Sequence, residues 1–150
     1  MQFQGTEHIF ARRGKVYAYV IDPSNFSEGI PDIQSVEMVD VNTFDVVALL
    51  GISVIRSAFT IHFKVTERMP PSHLRLKGHG VSSGNAVDLD LTVELVEEGV
   101  NTALRWNAEV LASGMVATLG QRVWGTIADR FVKEVFGSVR SNLEPPTVTW

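Results

Sequence analysis

The hydrophobic pattern of this chain makes its last change of period late. From Ile33 to Leu111, apolar and polar residues alternate in run after run, as in strands with one buried face. From Leu119 to Val139 the apolar residues recur every fourth position instead, as on one side of a helix. Consecutive strands joined by short turns pair antiparallel, so a chain patterned this way must lay one long helix against one antiparallel sheet.

The longest alternating run, Ser53 to Glu67, sets Ile55, Phe59, Ile61, Phe63 and Val65 on one parity, with Arg56, Thr60, His62, Lys64 and Thr66 on the other. Asn85 to Val96 repeats the pattern with Val87, Leu89, Leu91, Val93 and Leu95, and Val100 to Leu111 repeats it with Leu104, Trp106, Ala108 and Val110. Turn signals at Asp40 to Asn42, Gly51, Met69 to Ser72, Gly80 to Gly84 and Glu97 to Gly99 divide the region into a meander. Ahead of it, Met1 to Phe10 alternates as a first strand that places Phe3, Gly5, Glu7 and Ile9 together. Lys15 to Ile21 then carries a helical face of Val16, Tyr17, Val20 and Ile21, closed by Asp22-Pro23. Pro23 to Pro31 predicts a brief capped helix around Phe26 and Ile30 that ends in a proline loop. In the last helix, Leu119, Val123, Ile127, Phe131, Val135 and Val139 form the apolar stripe, and Arg122, Arg130 and Lys133 are expected on a solvated face. The expected architecture is α+β: a curved seven-stranded antiparallel sheet wrapped around a long C-terminal helix, with two short helices after the first strand.

The size fits a single domain: 150 residues, 45% hydrophobic and 20% charged, enough to bury roughly 70% of the unfolded surface. That domain is expected over residues 1–140, with 141–150 as a tail. Thirteen basic against seventeen acidic residues give a net charge of −4, without the positive excess that neutralising nucleic-acid phosphates requires. The absence of cysteine excludes disulfides, thiolate metal sites and cysteine nucleophiles. No basic segment followed by an apolar run opens the chain, so a cytoplasmic location is expected. The longest apolar stretch, Val46 to Ile52, is far short of the roughly 20 residues that span a bilayer, which limits membrane contact to a peripheral, transient kind at the inner face.

Width then predicts a cavity. Seven strands at about 4.8 Å spacing make a sheet about 30 Å wide, whereas a helix covers about 10 Å. A sheet curled around the helix leaves apolar surface that neither element covers. The side chains expected to line this space are Phe59, Ile61, Phe63, Leu76, Leu89 and Leu91, with Leu104 and Trp106 from the next strand and Ile127 and Phe131 from the helix. Trp124, displaced from the helix stripe, is expected at the pocket mouth, with Phe26, Ile30, Met115 and Val116 forming an apolar rim. Filling of the gap by bulky side chains and dimerisation are the competing outlets for the same surface.

The catalytic inventory is thin. His8, His62, His73 and His79 fall on different elements without metal-ligand spacing and are expected on the surface, with no metal and no cofactor. Gly78 to Gly84 joins two strands and opens no helix, so it is expected to be a hairpin turn, not a phosphate loop. Glu7 shares the parity of Phe3 and Ile9. It is expected either to meet Arg12, Arg13 or solvent, or to serve as the one acid in the pocket.

Several segments carry a family resemblance: Phe3-Gln4-Gly5, Val16-Tyr17 leading to Asp22-Pro23, Gly29-Ile30-Pro31-Asp32, Phe44 to Gly51, Leu74 to Gly80, and Leu119-Gly120-Gln121-Arg122-Val123. In their order and spacing the chain resembles the START/Bet v 1-like (SRPBCC) helix-grip proteins, and within them the carbon monoxide dehydrogenase G-subunit (CoxG) family. The resemblance implies a non-catalytic accessory of molybdenum-containing carbon monoxide dehydrogenases and related hydroxylases. Its implied roles are to recruit the enzyme to the membrane or to carry a lipid or quinone. Some members of that family continue into a C-terminal anchor, and the sequence to Trp150 shows none. The expected function is therefore a carrier of an apolar or amphipathic ligand. The alternatives are an aromatase/cyclase-like enzyme on the same fold and a docking module with a filled core.

Overall fold

The computed structural model describes residues 1–27, 30, 32–52 and 55–145, and the backbone alone for 50–52 and 55–56. Strand β1 (Gln2–Ile9) leads into helix α1 (Arg13–Val20) and a 3-10 turn (Pro23–Phe26). Strands β2 (Ile33–Met38), β3 (Thr43–Ile52), β4 (Ile55–Met69), β5 (His73–Ser82), β6 (Asn85–Glu98) and β7 (Asn101–Ser113) follow. A second 3-10 turn (Met115–Leu119) then opens helix α2 (Gly120–Leu143). The seven strands form one antiparallel sheet in the order β1-β7-β6-β5-β4-β3-β2, so the meander closes on β1.

The alternation read from the sequence sets the faces. In β1 the residues at Phe3, Gly5, Glu7 and Ile9 turn inward and those between them are exposed. In β7, Leu104, Ala108 and Val110 are buried toward α2. One end of the molecule holds the β1–α1 link, the turns between β2 and β3, β4 and β5, and β6 and β7, and the C-terminus of α2. At the other lie the β5–β6 turn, the 3-10 turn Met115–Leu119 and the N-terminus of α2. Buried Thr102 pins the first end through a 2.7 Å hydrogen bond from its Oγ1 to the carbonyl of Ala11. Gly114, at φ +82°, makes the turn at the second end, where a Cβ would lie 2.5 Å from the carbonyl oxygen of Gly84.

Several boundaries differ from expectation. The break predicted at Gly51 falls later, because β3 keeps pairing with β4 through Ile52 and β4 begins at Ile55. Gly78 and Gly80 are not turn residues either; they pair with Phe63 and Ile61 inside the β4–β5 ladder, and the turn is confined to Ser83-Gly84. The second short helix is a single 3-10 turn, capped by the Asp22 carboxylate, which accepts from the Ser24 N–H. Helix α2 runs three residues past the expected boundary at 140, since Leu143 is buried among Ile9, Val16 and Val139. Gly29 and Pro31 of the proline loop, Ser53 and Val54 at the start of the predicted fourth strand, and residues 146–150 of the tail lie outside the described residues.

Candidate ligand-binding site

The concave face of the sheet carries two buried clusters, with partly buried apolar side chains packed beside them. At the α1 end, Ile9, Leu95, Leu104, Val139 and Leu143 form a buried cluster with Val16 and Tyr17. At the opposite end, Phe59, Val110, Val116 and Trp124 form a second. Packed against them, Ile61, Phe63, Leu76, Leu89, Leu91 and Trp106 of the sheet, with Ile127, Phe131, Val132 and Val135 of α2, are each only partly buried, next to buried Val46, Val65, Val93 and Ala108. The close backbone contacts of α2 are with β1, α1 and the 3-10 turn at its N-terminus, and its approach to the middle strands is slight.

Register explains why the middle stays unfilled. Gly5 is paired with Trp106, Gly78 with Phe63 and Gly80 with Ile61, all on the concave face. A Cβ on Gly5 would lie 2.8 Å from Trp106 Nε1, and one on Gly78 would lie 2.6 Å from Phe63 Cε1. The rings therefore lie down on the glycine backbones instead of reaching across to α2. Phe63 is further held against Phe44, stacked at 5.0 Å between centroids. Where sheet width predicts a cavity, the described residues form a seam of partly buried apolar side chains. Two open clefts, of about 810 and 380 Å³, lie elsewhere: the first between the β1–α1 link and the β6–β7 turn, the second over β1, β7 and β6.

The residues expected to line the site divide accordingly. Ile61, Phe63, Leu76, Leu89, Leu91, Trp106, Ile127 and Phe131 border the seam. Phe59 (1% exposed) and Leu104 (2%) do not; each is sealed in a dry end. Trp124 is buried as well, not at a mouth, because its indole N–H donates to the carbonyl of Val116 at 3.0 Å and locks the 3-10 turn onto α2. The expected rim is mostly folded in: Ile30 and Val116 are buried, Phe26 packs edge-on against Tyr19, and Met115 alone is exposed.

Polar groups around the seam are few and mostly satisfied. Glu7 does face inward, and its partner is none of those expected: Arg140 of α2 donates to Glu7 Oε2 at 2.7 Å and to the carbonyl of His8 at 3.3 Å. The carboxylate is thus committed to an ion pair at the α1 end. Arg130 is not simply solvated, because it bridges to Asp32 at 2.7 Å ahead of β2. Tyr19 of α1 is clasped to α2 through Ser138 Oγ and Asn142 Nδ2, both at 3.0 Å. Trp106 is an exception, its Nε1 buried without a hydrogen-bond partner. Sequence reading missed the glycine–aromatic pairs, although the signal was there in register: each glycine sits at an inward position of a strand whose neighbour carries Trp or Phe.

An antiparallel sheet gripping a C-terminal helix around an apolar interior is the START/Bet v 1-like fold, and solved structures match it. A conserved protein from Geobacillus kaustophilus superposes with TM-score 0.87 at 22% identity, over 95% of this chain and 94% of that one. A START superfamily protein from Mycobacterium smegmatis gives TM-score 0.70 at 11% identity, with 95% and 97% covered. Ara h 8.0201 gives 0.69 at 13% identity, with 95% and 96% covered. None of the curated proteins matches the sequence. The family model for the carbon monoxide dehydrogenase G subunit (CoxG) matches residues 5–144, and the chain belongs to that family. Among the described residues no helix is long and apolar enough to cross a membrane.

Proposed function

We propose that the protein is a non-catalytic carrier that takes an apolar or amphipathic molecule, a lipid or a quinone, into the seam between sheet and α2. We further propose that it serves a carbon monoxide dehydrogenase-like molybdenum hydroxylase, meeting the inner face of the membrane transiently. The observation that carries this reading is the set of partly buried apolar side chains on the sheet and α2, packed against two buried clusters. Hydrated apolar surface is costly, and a guest that displaces its water gains about 0.8 kcal/mol per buried methylene, so a short tail suffices for micromolar retention. The dry ends hold the fold while the middle repacks around the guest, as in a pocket that ligand makes dominant. Trp106 supports a polar head group. Its unpartnered N–H costs stability, and turning the indole off Gly5 offers that donor to a ligand oxygen. Glu7, the one acid expected to serve an enzymatic alternative, is neutralised by Arg140.

Native mass spectrometry of the purified chain, before and after incubation with menaquinone or a fatty acid, tests the proposal. The wild type is expected to retain or take up one guest. Phe131→Asp abolishes uptake, and Trp106→Phe weakens binding of a quinone about fivefold or more while leaving a plain hydrocarbon probe unaffected. A wild-type chain that stays empty with every probe overturns the reading.

A further inference from the structure

The convex face carries an arrangement that the carrier reading does not use. Asp45, His62, His79 and Asp88 lie on one register row across β3, β4, β5 and β6. The two histidines are direct cross-strand partners. Each is held by the carboxylate on its outer side: His62 Nδ1 lies 2.5 Å from Asp45 Oδ1, and His79 Nδ1 lies 2.6 Å from Asp88 Oδ1. Among the described residues neither Nε2 has a hydrogen-bond partner.

We propose that His62 and His79 form a bidentate surface site for a divalent transition ion of the zinc, nickel or copper kind, with Asp45 and Asp88 orienting the two ligands. The nitrogens of an imidazole point to opposite sides of the ring. With each Nδ1 bonded to its aspartate, the Nε2 of each of these paired histidines is left to meet an ion. A carboxylate on the far nitrogen fixes the tautomer that leaves Nε2 as a lone-pair donor, the usual support of a metal-bound histidine. Imidazole pairs suit zinc, nickel and copper over magnesium or calcium. The two aspartates also offset the charge of Lys64 and Lys77, which are neighbours in the next row of the same face. No group of three or more histidine, cysteine or carboxylate side chains among the described residues is arranged to hold a metal. The protein therefore supplies two ligands, and water or a ligating group of a second molecule completes the shell. His8 and His73 lack this arrangement, since His8 has no histidine partner and His73 is bonded through both ring nitrogens.

Calorimetric titration of the full chain with ZnCl2 and NiCl2 decides the matter, with nitrogen-15 spectra of the histidine side chains as a second readout. The expected result is one ion per chain, shifting Nε2 of both His62 and His79. His62→Gln and His79→Gln each lower affinity at least tenfold, because either change breaks the chelate, and Asp45→Asn or Asp88→Asn lowers it about tenfold. His8→Gln and His73→Gln leave it unchanged. The histidine side chains are 61% and 54% exposed, so the variants are expected to fold, which thermal melts verify. Binding that survives His62→Gln or His79→Gln, that falls equally in His73→Gln, or that is absent with both ions overturns the proposal. The carrier reading is untouched by any of these results, because the seam lies on the opposite face.

Discussion

Leu104 and Leu91 occupy adjacent strands and face the same side of the sheet, yet Leu104 is 2% exposed whereas Leu91 is only partly covered. Leu104 belongs to the cluster in which Ile9, α1 and the last turns of α2 meet. Leu91, paired with Leu76 and Ala108, only packs against that cluster from beside it. The same residue type in the same strand geometry is packed or left wet according to what roofs it. On the carrier reading proposed above, stability belongs to the buried clusters, and room for a guest to the partly buried side chains beside them.

Truncation tests that division most directly. Phe136 is buried at the α1 end, and Phe136→Ala is expected to cost about 3–5 kcal/mol in urea denaturation, the transfer loss plus an unfilled cavity. Leu91→Ala removes a side chain whose surface is already partly in water, so it is expected to cost about 1 kcal/mol while impairing guest retention. Equal costs at the two positions would mean that the middle is packed as tightly as the ends.

Filling the seam from the sheet side comes next in size. A Cβ at Gly78 meets Phe63 at 2.6 Å, so Gly78→Ala must push the ring toward α2. The expected cost is about 1–3 kcal/mol, as for overpacking elsewhere, together with weaker uptake of a guest. Adding Phe63→Leu should recover most of the lost stability, because the two residues are in contact and their effects do not add. A Gly78→Ala protein with unchanged stability and uptake would show that the glycine does not make the room.

The seam lies between what the sequence displays and what it hides. The alternation that set Phe59, Ile61 and Phe63 on one face, and the four-residue stripe of α2, were legible because burial of one face imposes a period. Which of those side chains are covered depends on packing between distant segments, such as Leu143 in one buried cluster with Ile9, and this leaves no period behind. Glu7 shows the same limit: its inward parity was readable, but its partner Arg140 lies 133 positions away. Gly78 and Gly80 were misassigned to a turn because glycine signals a turn and a close approach of neighbouring side chains equally well.

Removing that partner gives a smaller effect. Glu7→Gln leaves Arg140 facing a neutral amide at the closed end. Both side chains are partly in water, at 25% and 37% exposure, so the expected cost is about 1 kcal/mol by thermal or urea melts, with guest uptake unchanged. Loss of uptake in this variant would place the ion pair in the site and not beside it.

The smallest expected effect lies outside the seam, on the outer surface of the α1 end. His73 bonds Glu67 through Nε2 at 2.6 Å and Glu94 through Nδ1 at 2.5 Å. The hydrogen bond to Glu67, followed by that to Glu94, raises the His73 pKa above its ordinary 6.5, and the hydrogen bond from His73 lowers that of Glu67 below 4.5. A raised base stabilises the fold fully below its unfolded pKa and loses that contribution as pH rises through the folded value. A lowered acid contributes above its unfolded pKa and loses its contribution as pH falls through the folded one. The two conditions overlap between about pH 4.5 and 6.5. The Tm advantage of the wild type over His73→Gln is therefore expected to peak in that window and to shrink toward alkaline and strongly acidic pH. It should be modest, because both carboxylates are well exposed and such pairs are screened by solvent. A difference that grows toward alkaline pH would mean that the folded protein holds His73 neutral. Guest uptake, which depends on the opposite face, should stay level across the same range.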